Sequence, residues 1–198
     1  MNDDRFEMGP DLRRGRENLG DLAVLSHCLD IIRDEQRGGI AVEFGVGHGH
    51  SLRLIASVLP VIGFDSFMGL PEDWRPSHMK GAFGNAMIPT NVTGATIVPG
   101  WFEDTVPNYD WTGLDIGLIH FDADLYSSTI TALNSIGPHI NSGCILVFDE
   151  FFGYDDDFNG SMPGEQQAWW EYLPTLLDRN PGYDVLGHGR EQWAVRVR

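Results

Sequence analysis

An α/β fold built on a doubly wound, mostly parallel sheet is predicted by three features of the sequence. Short β-branched and aromatic runs alternate with segments of helical periodicity, a glycine-rich turn follows the first run, and acidic residues close several of the runs. With 198 residues, 42% of them hydrophobic and 21% charged, the chain has the mass of one globular domain with a single core. We therefore expect one domain over 1–198, with a helical segment over 1–39 and the sheet over 40–198.

Each element has its own signal. Leu22, Leu25, Leu29 and Ile32 stand at helical spacing within 18–37, and Gly38-Gly39 ends that segment. Ile40 to Gly45 reads as a buried strand, Ser51 to Leu59 as a helix stopped by Pro60, and Val61 to Asp65 as a second strand, which together make a βαβ unit. The stretch 67–94 breaks into prolines, glycines and aromatics, too long for an ordinary connection, and is expected to be either a functional lid or a disordered loop. Strand Ala95 to Pro99, a short helix near Phe102, strand Ile116 to Phe121, a helix from about Ser127 to Ile136 and strand Cys144 to Phe148 continue the alternation. After a Gly/Asp-rich loop from Gly153 to Gly160, Trp169, Leu173, Leu176 and Leu177 mark a last helix, which Pro174 should kink or restart. Tyr183 to Leu186 and Gln192 to Val197 should close the sheet as an antiparallel hairpin, giving seven strands.

Charge narrows the range of partners. Thirteen Lys and Arg against 29 Asp and Glu leave a net charge of −16, a surface that repels nucleic acid and anionic membranes. The first sixteen residues alternate acids and arginines without an apolar run, and nowhere do 18 apolar residues follow one another. The expectation is a cytoplasmic protein with no membrane association. Cys28 and Cys144 fall in a helix and a strand and read as buried, reduced thiols.

Glu43-Phe44-Gly45-Val46-Gly47-His48-Gly49 lies between the first strand and the first core helix, where glycines let backbone approach a ligand closely. Asp65 ends the next strand, 20 residues after Gly45, where an acid reaches the ribose hydroxyls of a nucleoside cofactor. A dinucleotide loop would place glycine where this chain has His50, and no Gly-Lys-Ser/Thr occurs, so pyrophosphate and P-loop binding are both disfavoured. What remains is an adenosyl cofactor without phosphates.

His120-Phe121-Asp122-Ala123-Asp124 ends one strand and Phe148-Asp149-Glu150 the next. Neighbouring strands lie roughly 4.8 Å apart, so these acids should converge at the carboxyl edge, either as a site where a hard divalent cation relieves their repulsion or as a solvated acidic rim. Asp124, two residues beyond Asp122, projects to the same side if the chain stays extended, as a further ligand or as a base for a substrate hydroxyl. Ser127, Ser128 and Thr129 read as a helix cap, and His120 as a hydrogen-bonded core histidine with a base as its lesser role.

Taken together, Glu43 to Gly49, Phe64 to Phe67, Gly69 to Glu72, Gly100 to Pro107, Asp122 to Thr129, Asp149-Glu150 and Gly164-Glu165 resemble the TylF/macrocin O-methyltransferase family. The resemblance covers roughly residues 40 to 172. It implies a Rossmann-like class I methyltransferase that uses S-adenosylmethionine and Mg2+ or another divalent cation. By similarity Asp65 would hold the ribose, Ser66 and Trp101 would lie near the adenine, and Glu43 and Gly45 would meet the methionine end. The implied cofactor set is Glu43, Gly45, Val46, Gly47, Ser51, Asp65, Ser66 and Trp101; the metal set is Asp122, Asp149 and Glu150; the base is Asp124. The acceptor would be a small-molecule hydroxyl, on a sugar or another natural product, with a homo-oligomer left open. The rival readings are a non-catalytic cofactor-binding module and a nicotinamide-dependent oxidoreductase.

Overall fold

A computed structural model describes residues 7–153 and 161–198. The expected Gly153 to Gly160 loop lies almost wholly outside the described residues. A short 3-10 turn precedes α1 (Leu22–Asp34), followed by β1 (Ile40–Phe44), α2 (His50–Ala56), β2 (Val61–Asp65) and β3 (Ala95–Pro99). Then come α3 (Phe102–Thr105), β4 (Ile116–Phe121), α4 (Tyr126–Ile136), β5 (Ile145–Phe148), α5 (Gly164–Leu177), β6 (Tyr183–His188) and β7 (Trp193–Val197). One sheet runs in the order β3-β2-β1-β4-β5-β7-β6. The pairs from β3 to β5 are parallel, and β7 is antiparallel to both β5 and β6.

Alternation along each strand divides the apolar side chains between two layers. Ala41, Val61, Leu118, Ile145, Val147 and Ala194 face α1 and α2, meeting Leu25, Leu29, Ile32, Leu52 and Ile55. The opposite face carries Val42, Phe44, Phe64, Ile119, Phe121, Leu146, Phe148 and Trp193 against Ala132, Leu133 and Ile136 of α4 and Ala168, Trp169, Tyr172 and Leu176 of α5. Nine or more core side chains on each face come from residues spaced two apart in strands or three to four apart in helices, the pattern read from the sequence.

At the carboxyl edge one row of rings crosses the sheet. Register pairs Phe64 with Phe44, Phe44 with Phe121, Phe121 with Phe148, and Phe148 with Trp193. The successive ring centroids lie 5.4, 5.5, 4.8 and 6.4 Å apart in stacked arrangements. Trp193 also stacks on Phe151 at 4.3 Å and meets Trp169 edge to face at 5.9 Å. Such pairs add to the stabilisation that burial of their area provides.

Two sequence expectations are corrected. α5 continues through Pro174 from Gly164 to Leu177, so the helix does not restart there. Proline costs one backbone hydrogen bond there, and the buried Trp169, Tyr172 and Leu176 hold the helix to the sheet on both sides of it. α2 ends at Ala56 rather than Leu59, with Ser57, Val58 and Leu59 closing tighter turns onto Arg53, Leu54 and Ile55. Among the described residues no helix is long and apolar enough to cross a membrane.

Replacing Trp193 by Ala should remove about 3–5 kcal/mol of stability, because a wholly buried ring with four aromatic neighbours leaves a cavity the sheet cannot close. Urea unfolding of wild type and variant measures the difference.

Candidate functional site

Of the residues that follow the rings, Gly45, Asp65 and Asp122 line a cleft, and Asp149 stands beside Asp122. Gly45 follows Phe44, Asp65 follows Phe64, Asp122 follows Phe121 and Asp149 follows Phe148. The parallel ladder continues into them: the Gly45 N–H donates to the Phe64 carbonyl at 2.9 Å, Asp122 to Phe44 at 2.9 Å and Asp149 to Phe121 at 2.8 Å. A cleft of about 370 Å3 opens above this edge, within the size range of small-molecule sites.

Seven of the eight expected cofactor residues line it: Gly45, Val46, Gly47, Ser51, Asp65, Ser66 and Trp101. Gly45 has a φ of +91°, and a Cβ there would stand 1.7 Å from the Asp122 carbonyl oxygen, so only glycine lets β1 and β4 meet this closely. The Asp65 carboxylate shapes the loop itself. Its Oδ2 accepts the N–H groups of Val46 and Gly47, both at 2.8 Å, and its Oδ1 accepts that of Phe67 at 2.7 Å. A carboxylate offers about four acceptor positions, so room for another donor remains.

Glu43 is not among the residues that line the cleft. It points to the α1/α2 face, is wholly buried, and its Oε1 lies 3.0 Å from His120 Nδ1, its partner in strand register. Burial pushes the Glu43 carboxyl up, and hydrogen bonds from His120 and Ser51 oppose the shift. Burial alone would depress His120, but the Asp149 and Glu43 carboxylates raise it well above its ordinary value. His120 is thus a core histidine in an ion pair, with Nε2 3.9 Å from Asp149 Oδ1.

Asp122, Asp149 and Glu150 come together, one carboxylate oxygen of each lying within 4.8 Å of the others. Burial, then the charge of Asp149, holds Asp122 and Glu150 well above the usual carboxylate range. The buried Glu150 Oε2 has no hydrogen-bond partner among the described residues. All-oxygen donors with an orphaned carboxylate oxygen fit a hard divalent cation.

Asp124 lies outside this trio and is not on extended chain. Its φ is +62°, a left-handed conformation that costs a non-glycine residue energy and turns the backbone out of the strand at once after Ala123. The side chain still faces the cleft, 8% exposed, with its pKa raised to about 7 by burial and by Asp149.

The 67–94 segment contributes Leu70, Pro71, Trp74, Arg75, Phe83, Asn85 and Ala86 to the same cleft. It is tied down at several points. Leu70 N–H donates to the Ala82 carbonyl at 2.9 Å, the Ser127 hydroxyl donates to Glu72 at 2.6 Å, and Arg75 pairs with Glu191 at 3.3 Å and lies over the Trp74 ring. The sequence argument missed Arg75 and Glu191, since nothing in their spacing joins residues so far apart. It also gave no role to Glu165, a wholly buried carboxyl raised to about 8 by burial against two backbone hydrogen bonds.

Residues 42–151 match the family described as a methyltransferase domain. The chain belongs to that family. The assignment sets aside the nicotinamide alternative. Among similar proteins, an 8-demethyl-8-(2,3-dimethoxy-α-L-rhamnosyl)-tetracenomycin-C 4'-O-methyltransferase of Streptomyces olivaceus is 28% identical over 169 residues, 72% of this chain and 64% of that protein. Mycinamicin III 3''-O-methyltransferase of Micromonospora griseorubida is 23% identical over 158 residues, 64% of this chain and 61% of that protein. The chain thus spans less than two thirds of the length of these curated relatives. Of solved structures, the calicheamicin methyltransferase CalS11 superposes with a TM-score of 0.68 at 26% identity, over 93% of this chain and 80% of its own. The O-methyltransferase NovP shares the fold at 20% identity with a TM-score of 0.63, over 88% of this chain and 78% of its own.

Gly45→Ala should cost about 2 kcal/mol or more through backbone strain and overpacking against Asp122, and should weaken binding of S-adenosylhomocysteine. Urea unfolding and titration calorimetry read the two effects.

Proposed function

We propose that the chain is an S-adenosylmethionine-dependent O-methyltransferase of the TylF type that works with Mg2+ or another divalent cation on a hydroxyl of a sugar or other natural product. The observation that carries this reading is the meeting of a glycine-loop cleft with a trio of carboxylates at one edge of the sheet. Relatives named as O-methyltransferases of rhamnosyl-tetracenomycin and mycinamicin support the reaction class.

S-adenosylmethionine is the methyl donor, and its sulfonium needs no further activation. The protein's task is to align an acceptor oxygen with the methyl carbon and to take up its proton. The free acceptor capacity of Asp65 suits a ribose hydroxyl, with Ser66 and Trp101 on the adenine side. Gly45, Val46, Gly47 and Ser51 bring the loop and α2 against the methionine end, while Glu43 supports the loop from beneath. Trp74, Phe83 and Leu70 wall the acceptor side and exclude water.

Asp122, Asp149 and Glu150 would hold the cation, which when bound lowers the pKa of an acceptor hydroxyl. Asp124 stands beside them in the cleft as the base. Its left-handed backbone turns the chain out of the strand, and its side chain lines the cleft.

In calorimetry S-adenosylhomocysteine should bind and NAD should not; absence of S-adenosylhomocysteine binding overturns the cofactor assignment. With a glycosylated acceptor, changing Asp122, Asp149 or Glu150 to its amide should abolish metal-dependent methyl transfer and leave S-adenosylhomocysteine affinity intact. Asp124→Asn should lower turnover about 10²- to 10⁴-fold with Mn2+ still bound. Methyl transfer undiminished by EDTA would remove the cation from the reaction.

A further inference from the structure

The first turn of α5 reaches across the site from the side opposite the cofactor loop. Glu165 is wholly buried, and each of its carboxyl oxygens accepts a different backbone N–H: Oε1 that of Ala123 at 3.1 Å, and Oε2 that of Glu150 at 3.1 Å. Ala123 follows Asp122 and Glu150 follows Asp149, so one side chain joins the two loops that carry all three acids of the trio. The helix is seated close enough to allow this, since a Cβ on Gly164 would stand 2.4 Å from the Tyr126 nitrogen and 3.0 Å from the Asp124 carbonyl oxygen.

We propose that Glu165 is a positioning residue: by holding the Ala123 and Glu150 amides at once, it fixes the distance between the β4 and β5 loops and with it the spacing of Asp122, Asp149 and Glu150. The proposal rests on the reading of that trio as a divalent-cation site. One chemical argument supports it: two N–H groups that converge from different loops need two acceptor atoms on one group, which a carboxyl supplies and an amide does not.

The test uses the full chain, with Mn2+ binding read by electron paramagnetic resonance and S-adenosylhomocysteine binding by calorimetry. Glu165→Gln replaces one acceptor by a donor facing an N–H. It should weaken Mn2+ binding roughly 10- to 100-fold, the usual effect of losing a group that orients metal ligands, with S-adenosylhomocysteine affinity unchanged. Glu165→Asp keeps the charge but shortens the reach, and should also weaken Mn2+. Wild-type Mn2+ affinity in E165D beside a loss in E165Q would show that charge rather than the bridge sets the site, and would overturn the proposal. So would unchanged Mn2+ affinity in both variants. If the wild-type protein itself binds no Mn2+, the cation reading fails and the positioning role falls with it, a result the wild-type arm alone distinguishes. Hydrogen exchange on the wild-type protein needs no variant: the Ala123 and Glu150 amides should be protected, and rapid exchange of either overturns the bridge.

Discussion

The row of rings from Phe64 through Phe44, Phe121 and Phe148 to Trp193 is the constraint on which the rest depends. Gly45, Asp65, Asp122 and Asp149 each stand one residue beyond a ring, at the point where strand becomes loop. Packing of the rings on α4 and α5 sets strand register, because a slip of one residue would turn the whole row to the other face of the sheet. Register in turn places Gly45 against the Asp122 carbonyl and Asp122 beside Asp149. Chemistry at the edge is thus fixed by apolar packing one residue below it.

The two faces of the sheet divide the work. The face with the rings is dry and carries the packing. The opposite face holds the Glu43–His120 pair, a buried ion pair between adjacent strands, directly under the glycine loop. Isolated buried charges are costly, and this pair is tolerated because its members face each other. The pair joins the base of the cofactor loop to the strand that delivers Asp122, so both halves of the cleft share one foundation.

Much of this was legible in the sequence, for identifiable reasons. β2, β3 and β4 fall where Val61 to Asp65, Ala95 to Pro99 and Ile116 to Phe121 place them, since apolar runs bounded by glycine, proline or acid leave little choice. The acids at strand ends could be foreseen as neighbours because parallel strands align their carboxyl ends. Asp124 could not be placed the same way, as its side of the chain depends on a left-handed turn that no residue type demands. Pro174 misled because a proline inside a helix is judged locally, whereas the surrounding core decides. Glu165 stood in a quoted motif without a role, and the Arg75–Glu191 pair stayed hidden, because their partners are distant in sequence and are met only in the folded chain.

The place of β7 in the sheet bears on how the protein is made. β7 lies between β5 and β6, although both precede it in the chain. Until its residues are available, β5 remains an open edge whose backbone groups invite pairing with any passing strand. Among the described residues β6 joins the sheet through β7, so it enters the sheet when β7 does. Trp193, the last ring in the row, arrives with β7, so assembly of the row ends there as well. Before β7 docks, the chain carries the strands of the site on an unfinished sheet, and the open edge of β5 is the place where unwanted strand pairing is favoured.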